Sequence, residues 1–215
     1  MLRWITDFTY KVESLAAKAG VVYRLACHYY QDVIRKEAVL ANITRDDHIL
    51  CVGGGMCPFS AILFHQLTGA KVTVIDNKTA CIPKAKGVVD RLGLREYVRV
   101  LCRDGADTQL SLSEYSVVHL ALQVSPMEHV FSQVEKGVLP GTKLLVRRPK
   151  KTLDSAYSRL RLPNALLARC PYTTHKKARN IGSTLLYVKQ ELPLEEKTDA
   201  NGTAAFDAAG CVVSA

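Results

Sequence analysis

Three consecutive glycines, Gly53, Gly54 and Gly55, are the residues of this 215-residue chain best suited to meet a ligand. An apolar run, Ile49 to Val52, leads into them, and apolar positions at helical spacing, Ala61, Ile62, Phe64 and Leu67, follow. That pattern predicts a buried strand, a tight turn and a helix. Gly53 and Gly55 can take backbone angles closed to other residues, and without side chains they let a ligand lie against the main chain. A second apolar strand, Lys71 to Ile75, ends in Asp76-Asn77, and a third, Val98 to Cys102, runs into Asp104-Gly105. A glycine turn after one strand and an acid after the next is how open α/β sheets hold the ribose and base of a nucleoside cofactor. Asp76 is therefore the candidate for the ribose hydroxyls, with Asn77 beside it. Asp104, with Gly105, is the candidate for an adenine amino group, set against the ordinary role of a turn or capping aspartate.

The choice of cofactor follows from what the turn lacks. The dinucleotide pattern G-x-G-x-x-G fits at Gly53 and Gly55 but places Pro58 where the third glycine belongs. Proline suits a helix first turn but not the close approach that glycine provides, which disfavours NAD. S-adenosylmethionine is the other common occupant of this layout. Against the pattern acid-x-G-x-G-x-G the chain reads Cys51, Gly53, Gly55, Cys57, without the leading acid or the third glycine.

These candidates need a scaffold, and the alternation of elements supplies one. Strands are expected at 48–53, 71–76, 98–102, 116–122 and 143–147, with helices at 58–68, 79–92 and 127–137 between them. Such alternation implies a parallel sheet with right-handed crossovers. After 147 a helix at 152–160, a strand at 164–169 and a strand at 183–189 suggest an antiparallel closing pair. Residues 1–43 are expected to form an N-terminal helical segment broken at Gly20, residues 44–192 the Rossmann-like domain, and 193–215 a flexible tail. In the second N-terminal helix Tyr23, Tyr29 and Tyr30 could lean over the site, although aromatic residues at helical spacing more often serve the core. His119 sits mid-strand in an apolar run and is expected to be a satisfied core histidine.

Seven scattered cysteines form no C-x-x-C pair, which fits free thiols in a reducing compartment. The first residues do not read as a signal peptide and no stretch approaches membrane-span length, so a cytoplasmic protein without membrane partners is expected. The net charge of +9 is uneven: residues 143–189 carry twelve Lys/Arg and one acid, Asp154. Such a segment is either a solvated face or a surface for an anionic partner, meaning carboxylates or nucleic acid.

The register of Gly53-x-Gly55, Asp76 and Asp104 and the closing strand pair resembles the class I S-adenosylmethionine-dependent methyltransferases: a mainly parallel seven-stranded sheet with an antiparallel last strand. Within that fold, Gly53-Gly-Gly-Met-Cys-Pro-Phe-Ser-Ala-Ile62 is similar to the glycine turn of the nicotianamine synthases. It shares Gly53, Gly55, Pro58, a hydroxyl at Ser60 and Ile62. His119-Leu-Ala-Leu-Gln-Val124 is similar to that family's fourth strand, and Pro140 to Arg147 to its fifth. The resemblance implies S-adenosylmethionine as cofactor, held by Gly53, Gly54, Gly55, Asp76, Asn77, Asp104, Gly105 and Ala121. It also implies transfer of a 3-amino-3-carboxypropyl group to an amine of a small, possibly anionic, acceptor. Glu37 is the catalytic candidate it implies, because the family's acid–base glutamate lies in the N-terminal helices; Tyr30 is a second catalytic candidate from its own place in those helices. Methyl transfer to a small molecule or RNA, and a non-catalytic S-adenosylmethionine-binding module, stay open beside it. No metal is expected.

Overall fold

The odd and even residues of the first strand face opposite ways, and each set builds its own core. In the computed structural model, β1 (His48–Val52) turns Ile49 and Cys51 to one side of the sheet and Leu50 and Val52 to the other. A parallel strand covered on both faces reads as a continuous apolar run for this reason. The structure describes residues 20–107, 109 and 111–191, with the backbone alone for 20–27. The helix expected before Gly20 and the tail from 193 lie outside the described residues.

Six further strands complete the sheet: β2 (Lys71–Asp76), β3 (Val98–Cys102), β4 (Val117–Leu120), β5 (Lys143–Pro149), β6 (Tyr172–Thr174) and β7 (Ile181–Val188). Their order is β3-β2-β1-β4-β5-β7-β6. β1 to β5 are parallel, and β7 runs antiparallel to both β5 and β6. The expected mainly parallel seven-stranded sheet with its antiparallel last strand is present. The order reverses between β1 and β4, which opens a crevice at their carboxyl ends.

On one face α1 (Gly20–Leu40), α2 (Phe59–Thr68) and α3 (Ile82–Arg91) supply Ile34, Phe64 and Val89 to the core over Ile49, Val74 and Leu145. On the other face α4 (Met127–Gly137) lays Val130, Phe131 and Val134 over Leu50, Val118 and Leu144. α2 stops at Gly69, whose φ of 77° caps it in the left-handed conformation.

The chain departs from expectation after β5. Residues 164–169 are not a strand: Asn164–Leu167 is one short helical turn, α5, entered from Pro163. Ala, Leu and Leu favour a helix, and the proline fixes the entry. The sixth strand is instead Tyr172–Thr174, an edge strand of three residues. The helix expected at 152–160 is a 3₁₀ segment, Lys151–Ala156, and the one expected at 79–92 is a 3₁₀ turn, Thr79–Cys81, leading into α3. Among the described residues no helix is long and apolar enough to cross a membrane.

Candidate functional site

The crevice at the carboxyl ends of the strands is a cavity of about 710 Å³ that brings most of the candidate residues together. Tyr30, Gly53, Gly54, Gly55, Asp76, Asn77, Asp104, Gly105 and Ala121 all line it. Glu37 does not.

The three glycines serve different ends. Gly53 and Gly55 have φ of 86° and 61°, the left-handed region that favours glycine. Gly54 is needed for packing: a Cβ there would lie 2.1 Å from Cγ1 of Val74. The turn is stitched to the end of β2, with Gly53 N–H donating to the Ile75 carbonyl at 2.9 Å and Gly55 N–H to Oδ2 of Asp76 at 2.7 Å. Asp76 also accepts from Lys78 N–H at 2.9 Å through Oδ1. Its carboxylate thus fixes the turn while lining the cavity, and each oxygen keeps a lone pair for a ligand hydroxyl. Gly105 is likewise a packing glycine, its absent Cβ lying 2.5 Å from Cγ1 of Val52. Asp104 is exposed and accepts Ala106 N–H at 2.9 Å, so it forms the ordinary aspartate turn and also lines the cavity.

Behind the cavity lies a buried polar network that the sequence did not announce. Register places Arg147 of β5 opposite Thr184 of β7, and His119 of β4 opposite Leu145 of β5. α1 brings Glu37 down onto this group. Arg147 donates from Nε and from its second terminal nitrogen to the two Glu37 oxygens, both at 2.8 Å, and from the first to Oγ of Ser60 at 3.0 Å. The Thr184 hydroxyl donates to Glu37 Oε1 at 2.6 Å and in turn meets His175 Nε2 at 2.8 Å. Glu37 and Arg147 are 0% and 5% exposed. Burial opposes the charged form of Glu37, but the Arg147 charge and its hydrogen bonds outweigh that and bring the carboxyl down from 4.5 to about 2. This buried ion pair makes Glu37 an anchor for Arg147 rather than a free base. Tyr30 packs its ring on Phe59 at 5.7 Å, with the Arg147 guanidinium 5.9 Å from its centroid.

His119 meets only half of its expectation. It is in the core, 1% exposed, with its ring edge-on to Phe64, yet neither ring nitrogen has a hydrogen-bond partner. Burial, then the Arg147 charge, pushes its imidazole down to about 3, so it is neutral. With Arg147 and Ser60 it lines the same cavity. Among the described residues no cluster of His, Cys, Asp or Glu is arranged to hold a metal ion.

Sequence reasoning missed Arg147, Ser60, Thr184 and His175 as a group. One signal was available. Glu37 follows Val33 and Ile34 at helical spacing, and Arg147 follows Leu145 at strand spacing, so both are charges on buried faces and each requires a partner.

No protein-family model matches the chain, and no curated protein matches it in sequence. Solved structures do. A glutamate-to-glutamine variant of MtNAS, a nicotianamine synthase, in complex with S-adenosylmethionine superposes with a TM-score of 0.71 at 18% identity, over 88% of this chain and 76% of that one. MtNAS in complex with MTA and tNA gives 0.70 at 18% identity, over 87% and 74%. An RNA methyltransferase from Salinibacter ruber in complex with S-adenosyl-L-homocysteine gives 0.58 at 17% identity, over 76% of this chain and 95% of that one. Sheet order and neighbours agree: the chain has the class I S-adenosylmethionine methyltransferase fold.

Proposed function

We propose that this protein is an S-adenosylmethionine-dependent transferase that moves the 3-amino-3-carboxypropyl group onto an amine of a small molecule. The observation that carries the reading is one continuous cavity. Its lining holds both the glycine turn with Asp76, suited to a nucleoside, and the polar side chains of Ser60, Arg147 and His119, suited to an acceptor. Its volume of about 710 Å³ suits a nucleoside cofactor with a small partner. The residues present fit the cofactor: two left-handed glycines leave the main chain bare, and the Asp76 carboxylate lies beside them.

S-adenosylmethionine, when bound, supplies a sulfonium whose attached carbons accept a nucleophile. The chain's part is to hold and orient. Asp76 receives the ribose hydroxyls. Asn77 and Asp104 would meet the base, and the Gly53–Gly55 backbone with Ala121 would border the methionine part. Glu37 fixes the Arg147 guanidinium, which keeps Ser60 and the deep wall in place. The likeness to MtNAS favours the aminocarboxypropyl group over methyl. Methyl transfer is the second reading, supported by the methyltransferase likeness that spans 95% of the Salinibacter ruber chain.

Calorimetric titration with S-adenosylmethionine, S-adenosylhomocysteine and methylthioadenosine tests this. Methylthioadenosine, the product of aminocarboxypropyl transfer, is expected to bind as tightly as S-adenosylhomocysteine or tighter. Asp76→Ala is expected to weaken all three by about ten- to a hundredfold, the worth of hydrogen bonds to a charged group. A clear preference for S-adenosylhomocysteine would favour methyl transfer, and no binding at all would sink both readings.

A further inference from the structure

The strand order divides the cavity into two halves of different chemistry. Asp76 and Asp104 follow β2 and β3, on one side of the glycine turn. On the other side stand the residues after β4, those after β5 and the entry to β7. The entry to β7 belongs to this end because β7 runs antiparallel to β5, with Ile181 opposite Pro149. Gly53 joins the halves: a Cβ there would lie 3.3 Å from the Ala121 side chain and 3.1 Å from that of Val124.

Charge is shared unevenly between the halves. Of the charged side chains in the lining, Asp76, Lys78, Arg103 and Asp104 all lie in the first. The second holds only Arg147, whose charge is met by the Glu37 carboxylate. Among the described residues none of the lysines and arginines of 148–189 lines the cavity, so the basic surplus of that segment does not serve it.

The second half offers a neutral polar pair instead. Tyr157 and Asn180 both line the cavity, and both are half-buried. Nδ2 of Asn180 donates to the Tyr157 hydroxyl at 3.2 Å. The pair is held at both ends: Lys150 N–H donates to the Asn180 carbonyl at 3.0 Å, and Met127 N–H, at the start of α4, donates to the hydroxyl of Ser158 at 2.8 Å. Tyr157 and Tyr30 pack against the buried cluster that holds Leu122 and Ile181. The one bond between the pair leaves the phenol proton, the Asn180 oxygen and a second amide N–H uncommitted. With the amide turned over, two N–H groups and a phenol lone pair are left instead. In either arrangement the pair presents a donor and an acceptor and no charge.

We propose that Tyr157 and Asn180 form the acceptor subsite and select an uncharged heteroaromatic nitrogen, of the imidazole or aminopyridine kind, over an alkylammonium or a carboxylate. The assignment rests on the transferase reading above. An ammonium taken out of water in this half meets no carboxylate, and a carboxylate meets no uncommitted cation, so either charge is desolvated without a partner. An alkylamine is charged at neutral pH, as lysine is, whereas an imidazole is largely uncharged and keeps a lone pair for attack. Such a ring both donates and accepts, as the pair does, and the rings of Tyr30 and Tyr157 suit a flat partner.

The test is calorimetric titration of the full chain saturated with methylthioadenosine, which fills the nucleoside half. The probes are 4-methylimidazole, 2-aminopyridine, butylamine and butyrate, at a mildly alkaline pH where both heterocycles are uncharged. The heterocycles are expected to bind tighter than butylamine or butyrate by about tenfold or more. Tyr157→Phe, which keeps the ring, and Asn180→Ala are each expected to weaken the heterocycles by about tenfold, the worth of one hydrogen bond, with methylthioadenosine affinity steady. Butylamine or butyrate binding as tightly as the heterocycles overturns the proposal. So does heterocycle affinity unchanged in both variants, or no binding of any probe to the loaded protein. A matching loss of methylthioadenosine affinity in the variants would make the pair structural and also overturns it. If methylthioadenosine does not bind the wild type, the cofactor reading has failed first and the subsite falls with it.

Discussion

The most consequential side chain is Arg147, because its charge is 5% exposed and Glu37, Ser60 and Tyr30 are arranged around it. Its guanidinium grips the Glu37 carboxylate with two bonds of 2.8 Å, and Thr184 fills another lone pair of that carboxylate. A buried pair of this kind adds little over an apolar pair of the same shape, since desolvation offsets the attraction, but removing one partner strands the other. Arg147→Met should therefore destabilise the protein by about 3–5 kcal/mol in urea denaturation, by leaving Glu37 buried without its countercharge. Adding Glu37→Leu to Arg147→Met should restore a good part of that loss. A double variant as unstable as the single one would show that the pair is not a unit. Tyr30, packed between Phe59 and the guanidinium, is expected to follow Arg147 more than to act alone.

The unit of β1, glycine turn and α2 depends on Gly54 fitting against β2. Val74 is 1% exposed, so its side chain has nowhere to move when a Cβ arrives 2.1 Å away. Gly54→Ala should lower stability by about 1–3 kcal/mol, as overpacked cores do, and Val74→Ala placed beside it should return much of the loss. Thermal melting of the single and double variants checks this, and a fully stable Gly54→Ala would refute the close approach. This element was readable in the sequence because its signals are local: an apolar run, glycines, then helical spacing. The parallel strands were readable for the same reason. β6 was not, because Tyr172–Thr174 is a half-exposed edge of three residues with no apolar run, while Asn164 to Arg169 offers an apolar run that Pro163 turns into a helix start. The polar network was hidden differently. Glu37 and Arg147 are 110 residues apart and Glu37 and Thr184 are 147 apart, so nothing local links them. His119 looked like a satisfied core histidine because a sequence shows burial but not which ring nitrogens find partners.

For the molecule as a whole, charge placement governs its response to acid. The basic surplus of 143–189 is not simply a surface: Arg147 is buried, and Lys143, Arg159 and Lys189 pair with Asp47, Asp154 and Glu135. The interior instead holds groups that titrate abnormally, and their signs agree. Burial lowers His119 from 6.5 to about 3, and lowers His175 as well. As pH falls below 6.5 the unfolded chain takes up a proton at position 119 while the folded one does not, so folding loses stability from 6.5 down to about 3, and His175 acts in the same direction. Glu37, brought from 4.5 to about 2, contributes stability that is complete above 4.5 and is lost as pH falls toward 2. The two windows overlap, and acid should unfold the protein well before its surface carboxylates are all neutral. Urea midpoints measured from pH 7 to pH 3 should fall continuously, with each fully shifted group adding a slope of up to about 1.4 kcal/mol per pH unit. In His119→Gln one of these groups is gone, so its curve should be flatter than the wild-type curve between 6.5 and 3, and the two should converge as pH falls. Parallel curves would mean that the imidazole protonates at its ordinary value in the folded state.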